Sequence, residues 1–179
     1  MPGIDERRPF RPLNIAVLTV SDSRSLAEDR SGDLLVERLT GSGHHLAARA
    51  LVVDDAAKIA DQLEHWIANA AIDVVITTGG TGVTGRDVTP EAVERVSEKL
   101  IPGFGELFRM LSYDKIGTSA LQSRATAGVA RGTYLFALPG SPGACRDGWD
   151  EILRAQLDIR HRPCNFAELL PRLREHEAG

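Results

Sequence analysis

Asp54 and Asp87 stand 33 positions apart and are the pair in this chain with the clearest chemical potential. Each follows an apolar run of strand length: Leu46 to Val53 before the first, Val74-Val75-Ile76 before the second. A strand–helix–strand crossover takes about 30 residues or more, so one such unit brings both carboxylates to the same sheet edge. Adjacent carboxylates repel, and a divalent cation between them relieves the repulsion. The plainer alternative keeps Asp54 and Asp55 as helix-capping acids and Asp87 as a turn residue.

Asp87 belongs to the segment Thr77 to Ala92, where Gly79, Gly80, Gly82 and Gly85 are set among threonines after the Val74-Val75-Ile76 run. Glycine-dense backbone after a strand can turn its N–H groups toward an anion. An aspartate there repels a phosphate unless a cation intervenes, so the segment reads as a phosphate site run with a metal. Gly80-Thr81-Gly82-Val83-Thr84-Gly85 satisfies G-x-G-x-x-G literally. The dinucleotide fingerprint opens its helix directly, however, and here Thr89-Pro90-Glu91 places the helix start several residues later. A P-loop fails too, because Arg86 and Asp87 replace its lysine and hydroxyl.

The elements that must hold these residues alternate in type. Ile15 to Val20 reads as a strand, followed by the polar loop Ser21-Asp22-Ser23-Arg24. Ser31 is the expected cap of a helix carrying Leu34, Leu35 and Leu39. Ala56 to Asn69 is the clearest helix, with Ile59, Leu63, Trp66 and Ile67 on one face. After the Pro90 helix, with Thr89 as its expected cap, a short helix is expected around Phe104 to Leu111. Gly117 to Ala130 reads as loop with one helix at most. Tyr134 to Leu138 is a strand that runs into Pro139-Gly140-Ser141, and Ser141 caps a final helix over about Pro142 to Leu157. Strands alternating with amphipathic helices specify a three-layer α/β/α sandwich with a mostly parallel sheet. If those strands are neighbours, the loops Ser21 to Arg30, Thr78 to Thr89 and Pro139 to Pro142 share one cleft.

The whole chain has 179 residues, 42% hydrophobic and 26% charged, with a net charge of −4. That length fits one domain able to bury roughly 70% of its unfolded surface. The charge offers no footprint for nucleic acid, and no stretch approaches the ~20 apolar residues of a membrane span. Residues 1–12 read as a flexible arm without the apolar core of a signal peptide, 13–166 as the domain and 167–179 as a tail. Cys145 and Cys164 are isolated thiols, which fits a cytoplasmic setting. His44 and His45 are expected at the surface.

The ordered set Leu18-Thr19-Val20-Ser21-Asp22, Asp29-Arg30-Ser31-Gly32, Thr77 to Ala92, Ser123-Arg124 and Leu138-Pro139-Gly140-Ser141-Pro142 resembles the molybdenum cofactor biosynthesis proteins MoaB and MogA and the gephyrin G domain. The resemblance spans about Leu13 to Phe166. Gly103 to Ser112 and Arg162 to Phe166 are similar to the MoaB branch. It implies transfer of AMP from ATP to the terminal phosphate of molybdopterin, releasing pyrophosphate. Asp54 and Asp87 would be the catalytic pair and hold Mg²⁺. Ser21, Gly79, Gly80, Thr81, Gly82, Ser123, Arg124, Pro139, Gly140 and Ser141 would bind substrate. It also implies self-assembly as a trimer or hexamer and association with other enzymes of the pathway. The alternative is a non-catalytic protein that binds or delivers molybdopterin.

Overall fold

Asn14–Val20 is the strand on which the fold is built, and every residue after Asn14 is buried. The computed structural model describes residues 1–178. In chain order its strands are β1 (Gly3–Ile4), β2 (Asn14–Val20), β3 (His45–Val52), β4 (Val74–Thr78), β5 (Lys99–Leu100), β6 (Thr126–Ala130), β7 (Thr133–Leu138) and β8 (His161–Arg162). The main helices are α1 (Arg30–Gly41), α2 (Ala56–Ile67), α3 (Thr89–Val96), α4 (Pro102–Ile116) and α5 (Pro142–Asp147). The main sheet has the order β3-β2-β4-β7-β6-β5, with β3, β2, β4 and β7 parallel and β6 running against both neighbours.

Alternation along β2 splits the core in two, because successive side chains leave opposite faces of a strand. Ile15 and Val17 join Leu35 and Leu39 of α1, Phe104 and Phe108 of α4, and Cys145 of α5. Ala16, Leu18 and Val20 join Ile59, Leu63 and Trp66 of α2 and Val93 of α3. The result is the expected three-layer sandwich. No helix among the described residues is long and apolar enough to cross a membrane.

Several local expectations are corrected. The cap of α1 is Asp29, not Ser31: its carboxylate accepts from Gly32 N–H and from the Thr19 hydroxyl at 2.5 Å, and Arg49 pairs with it. Thr89 does not cap α3; its hydroxyl donates back to Gly79 O at 2.9 Å and pins the glycine loop. The short helix expected at Phe104 to Leu111 runs for 15 residues as α4. Gly117–Gln122 is a 3-10 turn, and the supposed loop after it contains β6. Small residues dominate β6 (Thr-Ala-Gly-Val-Ala), so its hydrophobic signal was too weak to read as a strand. The last helix passes through a π-helical stretch, Gly148–Leu153.

Residues 1–12 are docked, not free. β1 pairs with β8, Arg8 bonds Glu168, and the Phe10 ring lies against His44 and under the Arg160 guanidinium. Three prolines and scattered charges concealed that one aromatic anchor. His44, expected at the surface, is only 4% exposed; its Nδ1 accepts from Leu13 N–H, and burial pushes its pKa down to about 4. His45 is exposed as expected.

Candidate functional site

The sheet register aligns the strand ends that carry the candidate loops. Thr19 of β2 lies beside Thr78 of β4, and Thr78 lies beside Leu138 of β7. The loops that follow these strands surround one cleft of about 720 Å³. Ser21, Asp54, Gly79, Gly80, Thr81, Gly82 and Asp87 line it, as do Ser123, Pro139, Gly140 and Ser141. Arg124 is the exception among the expected substrate-binding positions. Its guanidinium turns behind the glycine loop, donating to Gly82 O and Asp87 O at 2.6 Å each and pairing with Glu91. It braces the loop that the other residues present to the cleft.

Backbone geometry explains the glycines. Gly79 and Gly80 have φ of 101° and 67°, the left-handed region in which side chains are strained. A Cβ on Gly79 would lie 2.1 Å from Val20 O. On Gly80 it would meet the Asp54 Oδ1 at 2.5 Å, and on Gly82 the Asp87 Oδ2 at 2.6 Å. Both carboxylates therefore rest directly on the glycine loop. Among the described residues the N–H groups of Gly80 and Thr81 have no protein acceptor, as in backbone nests that hold anions.

The remaining cleft residues are set by their loops. Ser21 Oγ accepts from Arg24 N–H and closes the turn after β2. Ser141 caps α5 by accepting from Ala144 N–H, as expected from its place before Pro142. Gly140 O accepts from the Ser31 hydroxyl at 2.7 Å and from Arg24. Thr78 Oγ1 donates to Pro139 O, joining the second loop to the third.

The two aspartates are in unlike environments. Asp87 accepts from the Thr84 hydroxyl at 2.7 Å and from Thr84 N–H, and these bonds hold its pKa below the usual carboxylate range. Burial pushes the Asp54 pKa up, and the charges of Asp22 and Asp87 push it the same way. Its buried Oδ1 has no hydrogen-bond partner. A carboxylate oxygen left unsatisfied next to a second carboxylate is a donor set suited to a hard cation. Two such ligands leave most of the coordination shell to water and substrate oxygens, the usual arrangement for Mg²⁺.

Three further features complete the cleft. Asp22 accepts both arms of the Arg86 guanidinium, at 2.8 and 2.9 Å, and the backbone N–H of Asp54. Lys115 of α4 reaches Asp147 of α5 at 2.6 Å, and both line the cleft. Phe108 adds an apolar wall. The Ser-Asp-Ser-Arg run after a strand was a signal for Asp22; nothing in the local sequence of α4 marked Lys115. A separate group among the described residues, Glu98, His176 and Glu177, lies close enough to share an ion but is exposed and outside the cleft.

Comparison with known proteins bears on the whole domain. A family profile described as a probable molybdopterin binding domain matches residues 16–159. The chain is 49% identical over 157 residues to the molybdenum cofactor biosynthesis protein B of Escherichia coli strain K12, covering 88% of this chain and 92% of that one. The protein of the same description from Bacillus subtilis is 42% identical over 158 residues, covering 87% and 93%. Among solved structures, one molybdenum cofactor biosynthesis protein B superposes with a TM-score of 0.85 at 37% identity, over 94% of this chain and 99% of that one. The tungsten cofactor synthesizing protein MoaB from Pyrococcus furiosus gives 0.71 at 38% identity, over 80% and 91%.

Proposed function

We propose, from the premise that this chain belongs to the molybdopterin-binding domain family of molybdenum cofactor biosynthesis proteins, that it binds molybdopterin in the cleft and transfers AMP to its terminal phosphate from Mg²⁺-bound ATP. In this reading a terminal phosphate oxygen of molybdopterin attacks the α-phosphorus of ATP. The new P–O bond forms as the bond to the bridging oxygen breaks, and pyrophosphate leaves. The attacking group comes from the substrate, so no activated protein nucleophile is needed; positioning and charge neutralisation suffice. This agrees with Cys145, the one cysteine against the cleft loops, whose thiol is buried and pushed up to about 11.

Asp54 and Asp87 would hold Mg²⁺, which when bound supplies charge neutralisation at the phosphates. Gly79 and Gly80 let the backbone approach the phosphates closely, and the free N–H groups of Gly80 and Thr81 donate to them. Ser21, Ser123, Pro139, Gly140 and Ser141 shape the rest of the cleft, and Arg124 keeps the loop rigid by holding two of its carbonyls. The observation that carries the reading is the unsatisfied Asp54 Oδ1 beside the glycine loop, because two uncompensated carboxylates would repel a ligand's phosphate.

Exposed Met110, Tyr113 and Ile116 on α4, with Leu121 after it, support assembly with further copies as a trimer or hexamer. The setting in this reading is the cytoplasm, alongside other enzymes of the pathway. The test is pyrophosphate release from ATP with molybdopterin and Mg²⁺. Asp87→Ala lowers the rate by about 10²-fold or more, while pterin binding by fluorescence persists. Pterin binding without turnover in the parent protein would make it a delivery protein and sink the enzymatic reading.

A further inference from the structure

Three carboxylates meet at the mouth of the cleft, and one cation faces them. Asp22 Oδ1 accepts from Arg86 Nη2 at 2.8 Å and from Asp54 N–H at 3.0 Å, and Asp22 Oδ2 accepts from Arg86 Nε at 2.9 Å. The other cations nearby are committed elsewhere: Arg124 to two loop carbonyls, Arg24 to Gly140 O, Lys115 to Asp147. The Arg86–Asp22 pair is more open than the Lys115–Asp147 pair, with side chains 66% and 40% exposed against 47% and 25%. Exposed pairs contribute little to stability and exchange partners readily. A guanidinium fork fits a phosphate as well as it fits a carboxylate.

We propose that Arg86 is a transferable counter-ion, neutralising Asp22 in the protein alone and moving to the nucleotide phosphates when metal and nucleotide bind. The inference rests on the metal–nucleotide reading above and names the residue that couples the two ligands. A divalent cation held by Asp54 and Asp87 would supply positive charge beside Asp22 in place of Arg86. Arg86 is then released toward the phosphates, whose own charge attracts it. Its place in the exposed Thr84–Asp87 turn allows this without disturbing Arg124, which anchors the same loop from behind.

The test measures metal and nucleotide separately. Mn²⁺ binding to the protein alone is followed by electron paramagnetic resonance, and binding of Mg²⁺ with α,β-methylene ATP, which blocks transfer, by calorimetry. Arg86→Gln makes the carboxylate site more negative, so Mn²⁺ alone binds about threefold tighter or more. The same variant binds the Mg²⁺–nucleotide analogue about tenfold more weakly. Arg86→Lys, which keeps the charge, returns Mn²⁺ affinity to the parent value. If Arg86 only braced the loop, Arg86→Gln would weaken both ligands, and that result overturns the proposal. Should Arg86→Gln not fold, Asp22→Asn serves: with one negative charge fewer it weakens Mn²⁺ alone while the nucleotide complex holds or tightens, and parallel losses overturn the proposal. A parent that binds neither ligand overturns this inference and the proposed function together. A parent that binds both, with Arg86→Gln unchanged, overturns only the transfer.

Discussion

Asp54 has a carboxylate that its surroundings make reluctant to ionise: burial opposes the charge first, and Asp22 and Asp87 add to it. A carboxylate with a raised folded pKa gives up stability as pH rises through that pKa, so at neutral pH the ionised Asp54 destabilises the protein, and below the unfolded value the cost disappears. Asp54→Asn therefore raises the thermal midpoint at pH 7, by roughly 1–3 °C for a chain of this size, and the gap narrows toward pH 4. Calorimetry at the two pH values checks this. A variant no more stable than the parent at pH 7 would sink the idea that the acid is held under strain for a ligand. Asp87, satisfied by Thr84, carries no comparable cost. The two aspartates were legible in the sequence by type and spacing. Their unlike environments were not, because Asp22 and Thr84 act on them only through the folded loops.

The glycine loop carries its information in the backbone. Gly79→Ala forces a side chain into a left-handed residue and against Val20 O, at a cost of about 2–4 kcal/mol. Gly85, the last glycine of the literal G-x-G-x-x-G match, has open space where a Cβ would go. Gly85→Ala should stay within about 0.5 kcal/mol of the parent. Urea unfolding of both variants separates them, and equal losses would contradict the loop geometry described above. Strand β4 and helix α2 were readable from their apolar patterns alone, since burial on both faces or on one stripe leaves a periodic trace. Capping was less readable. Thr89 has a capping residue's chemistry, yet tertiary contact recruits its hydroxyl to Gly79 O.

At the scale of the molecule, Leu121, at 81%, and Met110, Tyr113 and Ile116 of α4 are large apolar side chains left exposed. Light scattering at micromolar concentration should report a trimer or hexamer, and Leu121→Glu with Met110→Glu should shift it to smaller species that keep their circular dichroism. A monomeric parent would remove the assembly from the proposed function. The chain's own order of apolar runs, helical stripes and turn residues determined the three-layer fold and the convergence of three loops, because both follow from local periodicity and the handedness of crossovers. Only the tertiary structure decided that Arg124 braces the loop while Arg86 faces the acids, that His44 is buried, that the first twelve residues dock, and that β6 runs against its neighbours. Those outcomes depend on contacts between residues distant in the chain, and a residue's own neighbours in sequence carry no record of them.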